Sequence, residues 1–270
     1  MRIDDVDFLD LLTLEPHGPE TWVGLAARYP WDRLFGGQVL AQGLRAAAHT
    51  VREEHAVHSL HAYFIRPGTH TEPVRYEVDR LRDGRSFSTR MVVARQSGGA
   101  ILNLACSFQV VEEEADVQIV ELPADLPAPD DPSLDDTGWG GLLDRRALPT
   151  RTGWAAHWIR LRAELGDDPI LQACALSFMS DAAPTSAARS SHPDSVGDRT
   201  DRSLFMGASL DHAMWFHRPS RVDRWHYFDM DSHGLTGGRG LTTGNVLAAD
   251  GVHIASVAQE VLLRRRRPRS

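Results

Sequence analysis

Lysine is absent from this 270-residue chain, and all 29 of its Lys and Arg positions are arginine. A Schiff-base lysine or a serine–lysine nucleophile is thereby excluded. Cysteine is nearly as scarce: only Cys106 and Cys174 occur, each inside an apolar run. Two thiols without a CxxC pair give no disulfide framework and no zinc signature, so both read as free, buried side chains. Positive charge is in deficit as well. The formal net charge is -8, which leaves no broad basic face for phosphates and sets nucleic-acid binding aside. No apolar run approaches the roughly 18 residues of a membrane span. The N-terminal MRIDDVDFLD is acidic where a signal peptide is basic and then apolar. These absences lead to the expectation of a cytoplasmic protein. A GxSxG elbow is also missing, against an α/β-hydrolase. Gly237-Gly238-Arg239-Gly240 lacks a nucleotide-fold context and reads as a loop. The run Arg264-Arg265-Arg266-Arg267 reads as a solvated tail.

What is present suits one large domain or two ordinary ones, with 42% hydrophobic residues to fill their cores. Between Glu112 and Pro149 the composition turns to Pro and Asp with little apolar periodicity, as in a linker. The pieces on either side resemble each other. Ser59-Leu60-His61-Ala62-Tyr63-Phe64-Ile65-Arg66-Pro67 is echoed by Ser209-Leu210-Asp211 through Trp215-Phe216-His217-Arg218-Pro219, longer by two residues. Leu104 to Gln109 is echoed by Ile254 to Gln259, and the offset of 150 makes Ser59 and Gln109 the counterparts of Ser209 and Gln259. A repeat of this kind points to a duplicated unit. The division expected is 1–115, a linker over 116–150, and 151–270.

Ahead of each aromatic segment lies a helix-like stretch. From Gln38 to His49 the spacing of Val39, Leu40, Leu44 and Ala47-Ala48 predicts one buried face. From Pro169 to Asp181 hardly any polar face remains, so that helix must be buried on most sides. Strands are predicted over Val74–Leu81, Phe87–Arg95, Ile101–Val111, Trp225–Met230 and Val252–Leu263. Their turn signals are Asp83-Gly84, Ser97-Gly98-Gly99 and Asp250-Gly251. The fold class expected is α+β, with antiparallel sheets each wrapped around a buried helix. Exposed end strands need cover, and a homodimer or larger homo-oligomer is expected.

Phe35-Gly36-Gly37-Gln38, HSLHAYFIRPG from His58, YEVDRLRDGRSFSTR from Tyr76, LSFMSD ending at Asp181, ASLDHAMWFHRP from Ala208 and ASVAQEVLLR from Ala255 resemble the type II acyl-CoA thioesterases, the TesB-like family. The resemblance spans nearly the whole chain outside the linker and the polar stretch from Ala182 to Phe205. It implies a double-hotdog fold and hydrolysis of fatty acyl-CoA to free acid and CoA, without a metal, a cofactor or a covalent acyl-enzyme. The family's catalytic Asp, hydroxyl and Gln fall on Asp181, Ser209 and Gln259. Its helix N-terminus, the source of oxyanion donors, falls on Gly36, Gly37 and Gln38.

The residues support this chemistry on their own terms. A carboxylate can take a proton from water while a hydroxyl and an amide hold that water in place. Asp181 at a helix C-terminus faces the unfavourable end of the dipole, and burial there raises its pKa. Taken singly, Asp181 also reads as a helix-end polar residue, Gln259 as a satisfied core amide and Ser209 as an ordinary strand serine. Gly36 and Gly37 also read as packing glycines. Where Asp181 stands, the first-half helix has His49. His212, His217, His226 and His233 do not make a metal site, since His212 and His217 face opposite sides of a strand. Arg66 and Arg218 suit strand-end pairing, and Trp158, Trp215 and Trp225 suit core or interface packing. Two other functions remain open at this point. One is a hotdog enoyl-CoA hydratase or dehydratase; the other is a non-catalytic acyl-CoA binding protein.

Overall fold

The computed structural model describes residues 1–138, 141–195 and 204–266. The first half contains α1 (Phe8–Leu12), β1 (Glu15–Pro16), β2 (Thr21–Gly24), α2 (Gly36–Ala48), β3 (His55–Phe64), β4 (Val74–Asp83), β5 (Phe87–Gln96) and β6 (Gly99–Val110). After a long irregular stretch come β7 (Asp135–Asp136), β8 (Leu143–Ala147), β9 (Trp154–Leu161), α3 (Pro169–Ser180) and α4 (Pro184–Ser190). The chain closes with β10 (Phe205–Ser209), β11 (Asp211–Phe216), β12 (His226–Thr236), β13 (Arg239–Ala248) and β14 (His253–Arg265).

Local chemistry explains the helices that matter for the site. Asp168 caps α3 by accepting from the Ile170 and Leu171 N–H groups, and Pro169 follows at the first helical position. Residues Gln172 to Ser180 are all buried, as a helix without a polar face requires. In contrast, α2 begins after Phe35 with no side-chain cap, so its first N–H groups must find partners elsewhere.

The two half-sheets are not separate. β3 pairs antiparallel with β11, from Ser59 opposite Trp215 to Tyr63 opposite Asp211. The result is one 14-stranded sheet in the order β1-β2-β4-β5-β6-β3-β11-β14-β13-β12-β9-β8-β7, with β10 also on β14. The order is mirrored about the β3–β11 junction, which is the duplication seen in three dimensions. The sheet ends in β1 and β7, each only two residues long. Such short edges offer little to an incoming strand. On the inner face α2 packs on β3 to β6, while α3 packs against α2, β3 and β9. The second-half strands β9, β12, β13 and β14 close on α4, a helix not anticipated in the polar stretch after Asp181. Residues 196–203 of that stretch, and Arg267 of the arginine run, lie outside the described residues.

The stretch expected as a linker, 116–150, supplies β7 and β8, and Leu134 and Leu148 join Trp158 and Tyr227 in a second apolar cluster. Asp116 is ion-paired with Arg218, and Arg66 donates to the Gly98 carbonyl; both arginines therefore serve strand ends. Trp225 packs against the same cluster that holds Trp158, whereas Trp215 stays exposed on the outer face.

The repeat needs re-aligning. Ile65 and Arg66 both donate to the Ile101 carbonyl, and His217 and Arg218 both donate to the Ile254 carbonyl. These equivalent bonds set the aromatic strands at an offset of 152 (Arg66 to Arg218) and the closing strands at 153 (Ile101 to Ile254). Register shifts agree: β3 slips at His58, and the second half slips at Leu210 between β10 and β11. The counterparts of Ser209 and Gln259 are therefore Val57 and Cys106, not Ser59 and Gln109. The first half carries none of the three groups.

Candidate active site

Asp181 follows the last residue of α3 and is only 7% exposed. Its Oδ1 accepts from Ser209 Oγ at 2.7 Å, and its Oδ2 accepts from the Gly37 N–H at 2.9 Å. Gln259, fully buried on β14, donates from Nε2 to Ser209 Oγ at 2.9 Å. The fold thus brings Asp181, Ser209 and Gln259 into one connected cluster. They come from a helix end and two strands.

The Gly37 bond changes the electrostatics anticipated from the sequence. Asp181 does end α3, but it also caps the uncapped start of α2. The positive end of one helix dipole therefore offsets the negative end of the other. Burial remains the largest influence and raises the Asp181 pKa to about 6. The hydrogen bonds from Ser209, Gly37 and Gln259, and the nearby Arg33 charge, all act the other way. Arg33 is held by its Nη2 on the Gly207 carbonyl at 2.8 Å.

Gly36 and Gly37 are in the site for a steric reason. A Cβ on Gly36 would lie 2.6 Å from Asp181 Oδ2 and 2.8 Å from the Phe64 ring. A Cβ on Gly37 would lie 2.4 Å from the Phe178 carbonyl oxygen. Only glycine lets α2 approach the end of α3 this closely. Gln38 goes elsewhere: its Nε2 donates to the Leu25 carbonyl, and its own N–H donates to Phe35.

Two participants were not read from the sequence. One is the Gly37 N–H as a partner of the carboxylate. The other is His212, fully buried, whose Nδ1 faces Gln259 Oε1 and whose Nε2 lies 2.8 Å from Ser180 Oγ. Strict alternation puts His212 and Ser209 on opposite faces. The register slip at Leu210 puts both on the buried side. A buried histidine alternating with Met214 was the available signal. His212 and His217 do face opposite sides, and among the described residues no cluster of three or more metal-ligating side chains occurs.

Comparison with known proteins agrees with this architecture. Residues 26–109 match the acyl-CoA thioesterase N-terminal domain family, and residues 123–263 match the acyl-CoA thioesterase C-terminal domain family. The chain is 35% identical to acyl-coenzyme A thioesterase 8 of Mus musculus, over 94% of this chain and 88% of that one. It is 30% identical to acyl-CoA thioesterase 2 of Haemophilus influenzae, over 96% and 97% respectively. The crystal structure of acyl-CoA thioesterase II TesB2 from Mycobacterium marinum superimposes with a TM-score of 0.83 at 37% identity, covering 96% of this chain and 99% of that one. A hot dog fold protein from Alicyclobacillus acidocaldarius, at 18% identity and a TM-score of 0.79, shares the fold. With both halves matched and full-length relatives above 30% identity, the chain belongs to the TesB-like acyl-CoA thioesterases, thioester hydrolases of double-hotdog fold.

Proposed function

We propose that this chain hydrolyses fatty acyl-CoA thioesters with Asp181 as general base, and with Ser209 and Gln259 orienting the attacking water. The observation that supports it best is the buried Asp181 carboxylate bonded at once to Ser209 and to the start of α2. Water attacks the thioester carbonyl carbon and gives its proton to Asp181. The tetrahedral intermediate then collapses, the carbon–sulfur bond breaks, and the CoA thiolate takes up that proton. Negative charge developing on the carbonyl oxygen is favoured near the N-terminal end of α2, beside Gly36, since the Gly37 N–H is already given to Asp181. CoA is part of the substrate, so this reading calls for no separate cofactor.

The test is release of free CoA thiol across acyl-chain lengths, run beside hydration of an enoyl-CoA. Thiol release is expected; hydration alone, or tight binding without release, would replace this reading with one of its rivals. The same assay carries a pH prediction. Because the Asp181 pKa is raised to about 6, kcat/KM should climb with pH and level off above that value. A profile flat from pH 5 to 8 would remove Asp181 as base. A cytoplasmic location and self-association belong to the same reading. Tyr63 and Trp215, exposed near the β3–β11 junction, support the association. A purely monomeric sedimentation profile would remove that part.

A further inference from the structure

Asp181 and its neighbour Ser180 are the two ends of a closed chain of hydrogen bonds. From Ser180 it passes to His212 on β11, to Gln259 on β14, to Ser209 on β10, and back to Asp181. The direction of every bond follows from one fact: an ionised carboxylate only accepts. Ser209 has a single hydroxyl proton and must give it to Asp181, so its oxygen is left to accept from an amide N–H of Gln259. That fixes the Gln259 carbonyl oxygen at the far end, facing His212 Nδ1. An acceptor facing Nδ1 requires a proton on Nδ1. Nε2 of the neutral ring is then an acceptor, so the single Ser180 hydroxyl proton, which also has the Ser177 carbonyl within 2.9 Å, is given to His212 Nε2 at 2.8 Å.

We propose that His212 is a positioning residue, which locks the Gln259 amide, and through it Ser209, in the orientation that serves an ionised Asp181. The inference rests on the function proposed above. Without the Nδ1–H donor, the Gln259 amide could turn over and present its oxygen to Ser209. Ser209 would then donate to Gln259, and Asp181 would lose a partner for its charged form. The intact chain has the opposite effect. Once Asp181 has taken a proton, Ser209 already receives the Gln259 donor and is a poor acceptor for the new acid proton. The arrangement therefore keeps Asp181 a base and favours passing the proton to the departing thiolate.

Charges around the ring are few. Asp181 comes from the end of α3, Arg33 lies beside it ahead of α2, and the β3 residue opposite His212 is Ala62. Burial lowers the His212 pKa to about 4, consistent with a neutral ring at working pH.

The experiment compares His212→Leu with His212→Asn, whose side-chain N–H lies where Nδ1–H was. His212→Leu should lose kcat on the order of a hundredfold, the scale of a misplaced catalytic group. Its KM should stay near wild type and its rising pH limb should move upward. His212→Asn should recover most of the loss and bring the limb back. A folded Leu variant with wild-type kcat and limb overturns the proposal, as does an Asn variant no better than Leu. If the Leu variant does not fold, 15N NMR of the wild-type imidazoles still decides. The His212 resonance, assigned by its disappearance in His212→Asn, should show the Nδ1–H tautomer, and the Nε2–H tautomer overturns the proposal. Failure of the parent reading looks different, because Asp181→Asn would then retain turnover.

Discussion

Asp181→Asn should lower acyl-CoA hydrolysis by a factor on the order of 10²–10⁴, the range attributed to a positioned general base. The amide occupies the same volume and can still accept from the Gly37 N–H, so folding and substrate binding are kept. What goes is the acceptor for the water's proton. The fall should appear in kcat, with KM little changed. Wild-type turnover on several acyl-CoA chain lengths would sink the assignment. The same variant carries a stability prediction of opposite sign. Asp181 has a folded-state pKa of about 6 against an ordinary value of 3.8. Between those values the folded protein holds a proton that the unfolded chain has released, so stability falls as pH rises through this window and stays lower above it. The difference corresponds to about 3 kcal/mol. Above pH 7 the Asn variant should therefore melt several degrees higher than wild type, and below pH 4 the two should converge. Loss of activity with a gain of stability is the mark of a group kept for chemistry.

Gly37→Ala should be the most damaging single methyl in the molecule's site. The added carbon would lie 2.4 Å from both the Phe178 carbonyl oxygen and the Phe35 ring. The carbonyl belongs to α3 itself, so relief requires moving one helix against the other. Overpacking of this kind typically costs about 1–3 kcal/mol, and more where backbone must move. The displacement also lengthens the Gly37 N–H bond to Asp181. A shift near 1 Å is enough to lose on the order of a hundredfold in rate. Thermal melting and thiol release should thus both fail together. A variant with wild-type melting and wild-type kcat would show that α2 and α3 have slack that the described contacts lack.

The two helices that meet at the candidate site were legible in the sequence because their signals are local. The α2 face of Val39, Leu40 and Leu44 and the near-absence of a polar face on α3 placed both to within two residues. Strand parity likewise put Gln259 inward with Val257 and Val261. Turn residues marked the β4–β5 and β5–β6 hairpins. What escaped depends on relations between distant segments. β9 reads as a mixed apolar run, since burial of nearly every residue erases alternation. β13 carries Gly240 and Gly244, which weaken a strand signal. The repeat was recognised from Ser-Leu and Gln, whereas the fold aligns it at Arg-Pro. Matching letters two and three residues out of step gave Ser59 and Gln109 a kinship they do not have. The pairing of Asp181 with Gly37 lay beyond any local pattern, because it joins residues 144 apart in sequence.

The join between β3 and β11 bears on how the protein is made. On the ribosome, β3 leaves the exit tunnel long before β11 exists. About 150 residues separate the two, and at roughly 5–20 residues per second the wait is on the order of 10–30 s. Throughout it the first half carries an open strand edge with Tyr63 already exposed on it. The nascent chain is therefore most exposed to mispairing with a neighbouring copy during this interval. Ribosome spacing and early chaperone capture should govern its yield more than the stability of the finished sheet.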